Sequence, residues 1–333
     1  MTYGEQAQVP INHARAKLLG PSYDDSLTSL AAKIWLIEHA QHTIDLIYYI
    51  FKPDRVGLAV LGALCDAVQR GVDIRVMVDS LGSFSFVHSQ LKALGTCAAD
   101  AGFMRNLDGQ ITTRRARVQV VIFNSVSRFH FNRRSHDKLL VVDGHIPDKA
   151  VVITGGRNIS LDYYGLREDG SEDPTAFRDL EILLRPQSQG EVEANTVGSV
   201  SEIYYTLLFF YKGNKLLWSA DDAGRSSAEH GGYERKRRKA RESLSFLKSQ
   251  PHLRARMGDM ARFMSENFHD APVRIAHQLN NLTSTEVTTN VEENLLSNPN
   301  SINYLIHKIL SESASGDDSH GTLRIISPYL FAS

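Results

Sequence analysis

His136 and Lys138 stand two residues apart at the head of an apolar run, Leu139-Leu140-Val141-Val142, which closes at Asp143-Gly144. Runs of this kind form strands, and on a strand residues i and i+2 project from one face while the residue between them, here Asp137, points to the other. An imidazole and an ammonium on one face suit phosphodiester chemistry. The ring can attack phosphorus while the ammonium neutralises a non-bridging oxygen. Asp143, at the turn, is placed to brace the backbone or a neighbouring cation. After a loop containing Pro147, Asp148 and Lys149 comes Gly155-Gly156-Arg157-Asn158-Ile159-Ser160.

The pattern around these residues predicts alternating helices and strands. Leu27, Leu30, Ala31, Ile34, Trp35 and Ile37 recur at helical spacing within Ser26–Ala40, and Thr43–Phe51 is a β-rich run. A second helix is expected from Gly57 to Arg70, stopped by Gly71, followed by a strand over Val72–Val78. Further short strands are expected at Val118–Phe123, Lys138–Val142, Val151–Thr154 and Leu180–Leu184. Together they predict an α/β fold with a mixed or largely parallel sheet flanked by helices. Beyond Arg185 the texture changes. Glu191–Tyr211 reads as an amphipathic helix and Ala220–Gly232 as an exposed polar loop. The segment Tyr233–Ser243 sets six basic residues (Arg235, Lys236, Arg237, Arg238, Lys239, Arg241) against two acids. That run is either a solvated helix face or an attraction for anionic headgroups or nucleic-acid phosphates.

His136, Lys138, Asp143, the pair Gly155-Gly156 and Asn158 together resemble the signature of the phospholipase D superfamily, His-x-Lys-x4-Asp followed by a glycine pair and asparagine. Asn132-Arg133-Arg134-Ser135 before the histidine and Gly155-Gly156-Arg157-Asn158-Ile159 after it are similar to the bacterial cardiolipin synthase branch. Ile47–Ile50 and Gly71–Asp79 also look like the family's early strands, so the resemblance covers most of Ser26–Arg185. One departure is the span from Asp143 to Gly155, about five residues longer than the family's usual, which reads as a lengthened hairpin loop. The resemblance implies a phosphohistidine intermediate on His136. It also implies that Asn158 donates to a phosphate oxygen, that Gly155 and Gly156 allow close backbone approach, and that Arg157 points away. Asp179, in Phe177-Arg178-Asp179-Leu180-Glu181, matches the family's acidic residue that hydrogen-bonds the nucleophilic imidazole and fixes its tautomer. No cofactor or metal is implied. His88, His130, His145 and His277 lack metal-ligand spacing and are expected to be ordinary surface or core residues.

The 333 residues are 42% hydrophobic, enough for a large core, and 37 Lys and Arg balance 38 Asp and Glu to a net charge of −1. No global field therefore draws nucleic acid or an anionic membrane, and any steering must be local. Cys65 and Cys97 have no metal spacing. They are expected to be separate thiols, in keeping with a reducing compartment. Met1–Pro10 lacks a signal-peptide pattern, and no apolar run is long enough to span a bilayer. With the resemblance, this implies a cytoplasmic protein peripherally associated with a bacterial inner membrane.

The family's reaction uses a second histidine, from another copy of the motif, to protonate the departing alcohol and then to activate water or an acceptor alcohol. No second His-x-Lys-x4-Asp occurs in the sequence. Helix-like Ser301–Ser313 followed by Thr322–Phe331 repeats the character of Ser26–Ala40 followed by Thr43–Phe51, so a second copy is expected to begin there and continue beyond Ser333. The expected organisation is an N-terminal extension (1–25), a first catalytic half (26–186), a helical insertion or linker (187–300) and the start of a second half (301–333). The second motif would come from the same full-length chain or from a partner chain. The leading function is phosphatidyl transfer or hydrolysis on anionic phospholipids at a membrane surface. The alternatives are a dimeric phosphodiester nuclease, which would use the same residues on nucleic acid, and a non-catalytic lipid-binding module.

Overall fold

The computed structural model describes residues 10–83, 85–124, 135–187, 195–218 and 227–275. Pro10–Val273 forms one compact unit, and almost all of the other unit, Met1–Val9 with Arg274–Ser333, lies outside the described residues. That includes the expected second repeat at 301–333. Asn132-Arg133-Arg134, His130 and His277 also lie outside them.

The compact unit is built on a nine-stranded mixed sheet. Its strands are β1 (Pro10–Leu19), β2 (Thr43–Tyr48), β3 (Asp73–Asp79), β6 (Val118–Phe123), β7 (Lys138–Val142), β8 (Val151–Gly155), β9 (Glu181–Pro186), β10 (Lys215–Trp218) and β11 (His269–Arg274). β4 (Phe103–Arg105) and β5 (Ile111–Arg115) form a separate hairpin. The order across the sheet is β10-β6-β3-β2-β7-β8-β9-β1-β11. β2, β3 and β6 run parallel, and β7, β8 and β9 add antiparallel meander strands beside β2. The lengthened loop after Asp143 is the connection of the β7–β8 hairpin.

The helices are α1 (Tyr23–His39), α2 (Arg55–Gln69), α3 (Ser85–Thr96), α4 (Val197–Phe209), α5 (Ser227–Ser249) and α6 (Pro251–Ser265). The first two have local reasons to begin or end where they do. Ser22 caps α1 by accepting from the Asp25 N–H at 3.0 Å, and Asp54 caps α2 by accepting from Gly57 N–H at 3.0 Å. Gly71, just past α2, takes the left-handed φ of +98° that the stop signal predicted. On one face of the sheet Ile44, Leu46, Tyr48, Ile74, Val76 and Val78 meet apolar residues of α1, α2, α3, α5 and α6 in a single core. On the other face α4 packs across β2, β7, β8 and β9.

The expected strands and the first two helices form within a few residues of their predicted limits. Pro10–Leu19 was not legible as a strand, because apart from Ile11 it has no β-branched or aromatic residue and its alternation is confined to Ala14–Leu18. Its register comes instead from antiparallel pairing with β9, Ala14 opposite Pro186 through Leu19 opposite Glu181. Part of the stretch read as a polar loop is helical, since α5 already runs from Ser227. Its downstream half is anchored by buried Ala240, Leu244 and Leu247, and the helix extends backward through Gly231 and Gly232, which have open space around them.

The expectation of separate thiols is corrected. Cys65 of α2 and Cys97, just after α3, are joined by a disulfide with a Cα–Cα distance of 5.5 Å. Their 32-residue separation carries no pairing signal in a sequence with only two cysteines. The contact arises because α3 returns its C-terminus to α2. The inference of a reducing compartment, which rested on free thiols, loses that support.

Candidate active site

The site lies where the C-terminal end of β2 meets the N-terminal end of β7. Tyr48 pairs with Lys138, and the Tyr49 N–H donates to the Asp137 carbonyl at 3.1 Å, which carries the pairing one residue past β7. The His136 ring is exposed, whereas Lys138 is buried at 5% exposure directly beneath it. Lys138 Nζ donates to the His136 carbonyl at 2.7 Å and lies 3.0 Å from Nδ1 and 3.2 Å from Nε2 of the imidazole. The two groups therefore share a side, as their spacing predicted, and the ring is exposed. Tyr49 backs the pair, its ring 4.7 Å from that of His136 and 5.5 Å from Lys138 Nζ.

Burial lowers the Lys138 ammonium to about 8, opposed by the charges of Asp137 and Asp179. Burial and then the Lys138 charge lower the His136 imidazole, against Asp137, Asp79 and Asp179. At neutral pH this leaves a neutral ring, able to act as nucleophile, beside a largely protonated lysine, able to hold a phosphoryl oxygen.

Asp143 sits at the far end of β7 from His136, with a left-handed φ of 51°. Its carboxylate accepts from the N–H groups of Gln41 (3.0 Å), His42 (2.7 Å) and Thr43 (2.9 Å). It ties the turn between α1 and β2 to β7, a bracing job in keeping with its expected place at the turn.

Asn158 is also buried. Its Oδ1 accepts from the Ile50 N–H at 2.9 Å and its Nδ2 donates to the Tyr163 hydroxyl at 2.9 Å, so the amide joins the ends of β2 and β8. Gly155 and Gly156 allow a close approach of the turn before β9: a Cβ on Gly156 would lie 1.8 Å from Asp179 Oδ1. Asp179 accepts from its neighbour's N–H, Leu180, at 3.0 Å and bears electrostatically on both His136 and Lys138. Among the described residues no hydrogen bond joins it to the His136 ring.

Arg157 points away from the site, as expected. It is fully buried and reaches Glu181 at 3.3 Å, the Gly20 carbonyl, and Ser26 at 3.3 Å. Lys33 Nζ lies 2.6 Å from the other Glu181 oxygen, and Ser29 also donates to that carboxylate. Sequence reading missed this network behind the site. A lysine at an apolar-periodic helix position, Lys33 among Leu30, Ala31, Ile34 and Ile37, was the available signal.

The basic run on α5 is partly neutralised by the protein itself. Arg237 pairs with Asp100 at 3.1 Å, Arg241 with Asp66 at 2.8 Å and Arg238 with Glu242 at 3.7 Å. His145 pairs with Glu202 at 3.3 Å, and no group of residues suited to a metal ion occurs among the described residues.

Residues 34–169 match the family model described as cardiolipin synthase, PLD-like domain. Cardiolipin synthase C of Escherichia coli K12 is 31% identical over 172 residues, covering 48% of this chain and 30% of that protein. The cardiolipin synthase of Oceanobacillus iheyensis is 30% identical over 149 residues, covering 44% of this chain and 26% of its own length. The chain thus spans less than a third of these relatives. Among solved structures, the phospholipase D family member Nuc from Salmonella typhimurium aligns with a TM-score of 0.40 at 14% identity, over 62% of this chain and 99% of that one. Phosphatidylserine synthase of Haemophilus influenzae aligns with a TM-score of 0.41 at 14% identity, over 81% and 50%. Over residues 34–169 the chain is thus similar to the PLD-like domain of cardiolipin synthases.

Proposed function

We propose that this chain supplies the nucleophilic half of a phosphatidyltransferase or phosphodiesterase that acts on anionic glycerophospholipids at a membrane surface. The observation that carries the proposal is the open His136 imidazole with Lys138 Nζ within 3.2 Å on the same side. In the first step a His136 ring nitrogen bonds to phosphorus as the bond to the departing alcohol breaks. Lys138 holds the charge gathering on a non-bridging oxygen. Asp179 is proposed to swing onto the far ring nitrogen and stabilise the positive ring, and the Asn158 amide to face the phosphate when substrate is bound. The departing alkoxide takes its proton from a second imidazole. That group then removes a proton from water or an acceptor alcohol, which attacks phosphorus and frees His136.

The second imidazole is assigned to another phospholipase D-like half, in the full-length chain or in a partner. The outer face of α4 and its C-cap is consistent with such a neighbour: Ile203 and Leu207 of the helix and Phe210 at the cap recur at helical spacing and are 60%, 56% and 69% exposed. Residues 26–186 as the catalytic half, with the start of a second half at 301–333, belong to the same proposal. Peripheral membrane association does too. No described helix is long and apolar enough to cross a bilayer.

The test is to incubate the complete protein with phosphatidylglycerol vesicles, follow cardiolipin and phosphatidic acid, and quench rapidly to trap phosphohistidine. His136→Asn should abolish both product and adduct. Unchanged product from that variant would remove the proposal.

A further inference from the structure

Asp137 lies between the two reactive residues yet faces away from them, and both of its carboxylate oxygens are engaged. Oδ1 accepts from the Tyr204 hydroxyl at 3.0 Å and Oδ2 from the Ser135 hydroxyl at 2.5 Å. Tyr204 belongs to α4, the helix packed across β2, β7, β8 and β9.

The sheet itself holds this segment weakly. Residues 135–137 precede β7 and have no regular secondary structure. Among the described residues and beyond the Tyr48–Lys138 pair, the backbone is held by the Tyr49 to Asp137 bond at 3.1 Å, a Ser135 N–H to Asp79 Oδ2 contact at 3.3 Å, and the Lys138 ammonium on the His136 carbonyl at 2.7 Å, which itself depends on the lysine's placement. A chain so lightly laddered can rotate about residue 136, and such a rotation would turn the imidazole off the lysine. Because side chains alternate along an extended segment, pinning residue 137 on one side fixes residues 136 and 138 on the other.

We propose that Asp137, gripped by Tyr204 and Ser135, is a positioning residue that locks His136 and Lys138 onto one side of the strand and makes α4 part of the active site. The proposal rests on the phosphotransfer reading above. Asp137 also places a negative charge beside two groups that repel one another when both are protonated. The other charges facing the ring are Lys138 on its own strand, Asp79 at the end of β3 and Asp179 before β9. Tether and charge are separable by mutation. Tyr204→Phe removes the tether to α4, leaving the Ser135 bond, and keeps the charge. Asp137→Asn keeps a group able to engage both hydroxyls and removes the charge. Asp137→Ala removes both.

The experiment uses the full-length protein with labelled histidines, read by NMR, together with phosphotransfer kinetics on phosphatidylglycerol vesicles. Tyr204→Phe is expected to move the His136 ring signals and lower kcat roughly tenfold with KM within about twofold, since a small misplacement of a reacting group is costly. Asp137→Ala should cost ~100-fold. Asp137→Asn should recover most of that loss while the His136 titration midpoint falls below that of the parent. Tyr204→Phe and Asp137→Ala proteins whose His136 signals, titration midpoint and kcat all match the parent would overturn the proposal. The two readings fail separately. A parent protein that transfers no phosphatidyl group refutes the function, and the NMR comparison still decides whether Asp137 positions the ring.

Discussion

Glu181 is the residue whose loss should be felt most widely, because one buried carboxylate answers two buried cations. It opens β9 at 2% exposure, with Lys33 Nζ at 2.6 Å and Arg157 Nη1 at 3.3 Å, and the side chains of both partners are no more than 1% exposed. Glu181→Gln keeps the shape and removes the charge. Breaking a buried ion pair from one side costs ~3–5 kcal/mol, because the remaining ion stays desolvated without compensation. Here two ions are left. Lys33 has an escape, since burial already lowers its ammonium even with Glu181 beside it and it can shed its proton. Arg157 has none, because a guanidinium does not deprotonate in proteins. Lys33→Met, by contrast, leaves the Arg157–Glu181 pair intact and fills the space with an apolar chain of similar length, so it should cost about 1–2 kcal/mol.

The expected order is therefore Glu181→Gln well above Lys33→Met. The double variant should be less destabilised than the sum of the two, because Arg157 alone then lacks a partner. Urea unfolding followed by fluorescence measures all three, read as a fall in midpoint at constant slope. In a unit of this size Glu181→Gln should lower Tm by roughly 6–15 °C. A Lys33→Met variant as damaging as Glu181→Gln, or a Glu181→Gln cost below about 1 kcal/mol, would refute the view of Glu181 as a shared counter-charge.

Phosphohistidine formation, followed by rapid quench across pH, should rise as the depressed His136 imidazole loses its proton and fall on the alkaline side as Lys138 loses its own near about 8. Lys138→Arg should abolish that alkaline fall, at a lower maximum rate, because the guanidinium stays charged. Reduction of the Cys65–Cys97 disulfide closing a 32-residue separation should destabilise the domain by about 3–4 kcal/mol, seen as a lower Tm in reductant. Gly156→Ala should displace Asp179, since the added Cβ would stand 1.8 Å from its Oδ1. The expected result is a slowed transfer rate in a protein that still folds.

The His136–Lys138 pair was legible because one strand, Lys138–Val142, carries its own signature: a continuous apolar run buried on both faces, headed by polar residues at spacing two. The same holds for β2, β3 and β6, which lie side by side in the sheet and read as Val- and Ile-rich runs. What stayed hidden depends on partners distant in sequence. β1 owes its register to β9, some 170 residues on, and the disulfide joins two cysteines whose helices meet only after folding. The grip of Tyr204 on Asp137 spans 67 residues, and nothing in the character of a tyrosine within an apolar helix announces a carboxylate partner.

The end of the sheet also sorts neighbouring residues into two layers with different tasks. Tyr48 faces the helical core, where Glu181 bears on it, while Tyr49 carries its ring to His136. Arg157 turns inward to Glu181, while Asn158 joins the ends of β2 and β8. Glu181 is paired with Gly155 across the β8–β9 ladder and lies two residues from Asp179. The turn that presents Gly156 and Asp179 to the site is thus hung from a buried charge network rather than from apolar packing alone. Such a network is expensive to leave half satisfied, and that expense restricts the alternative positions open to the turn. The glycine pair removes the remaining steric obstacle. The face that carries His136 and Lys138 can then stay open, because the geometry of its acidic edge is determined from behind.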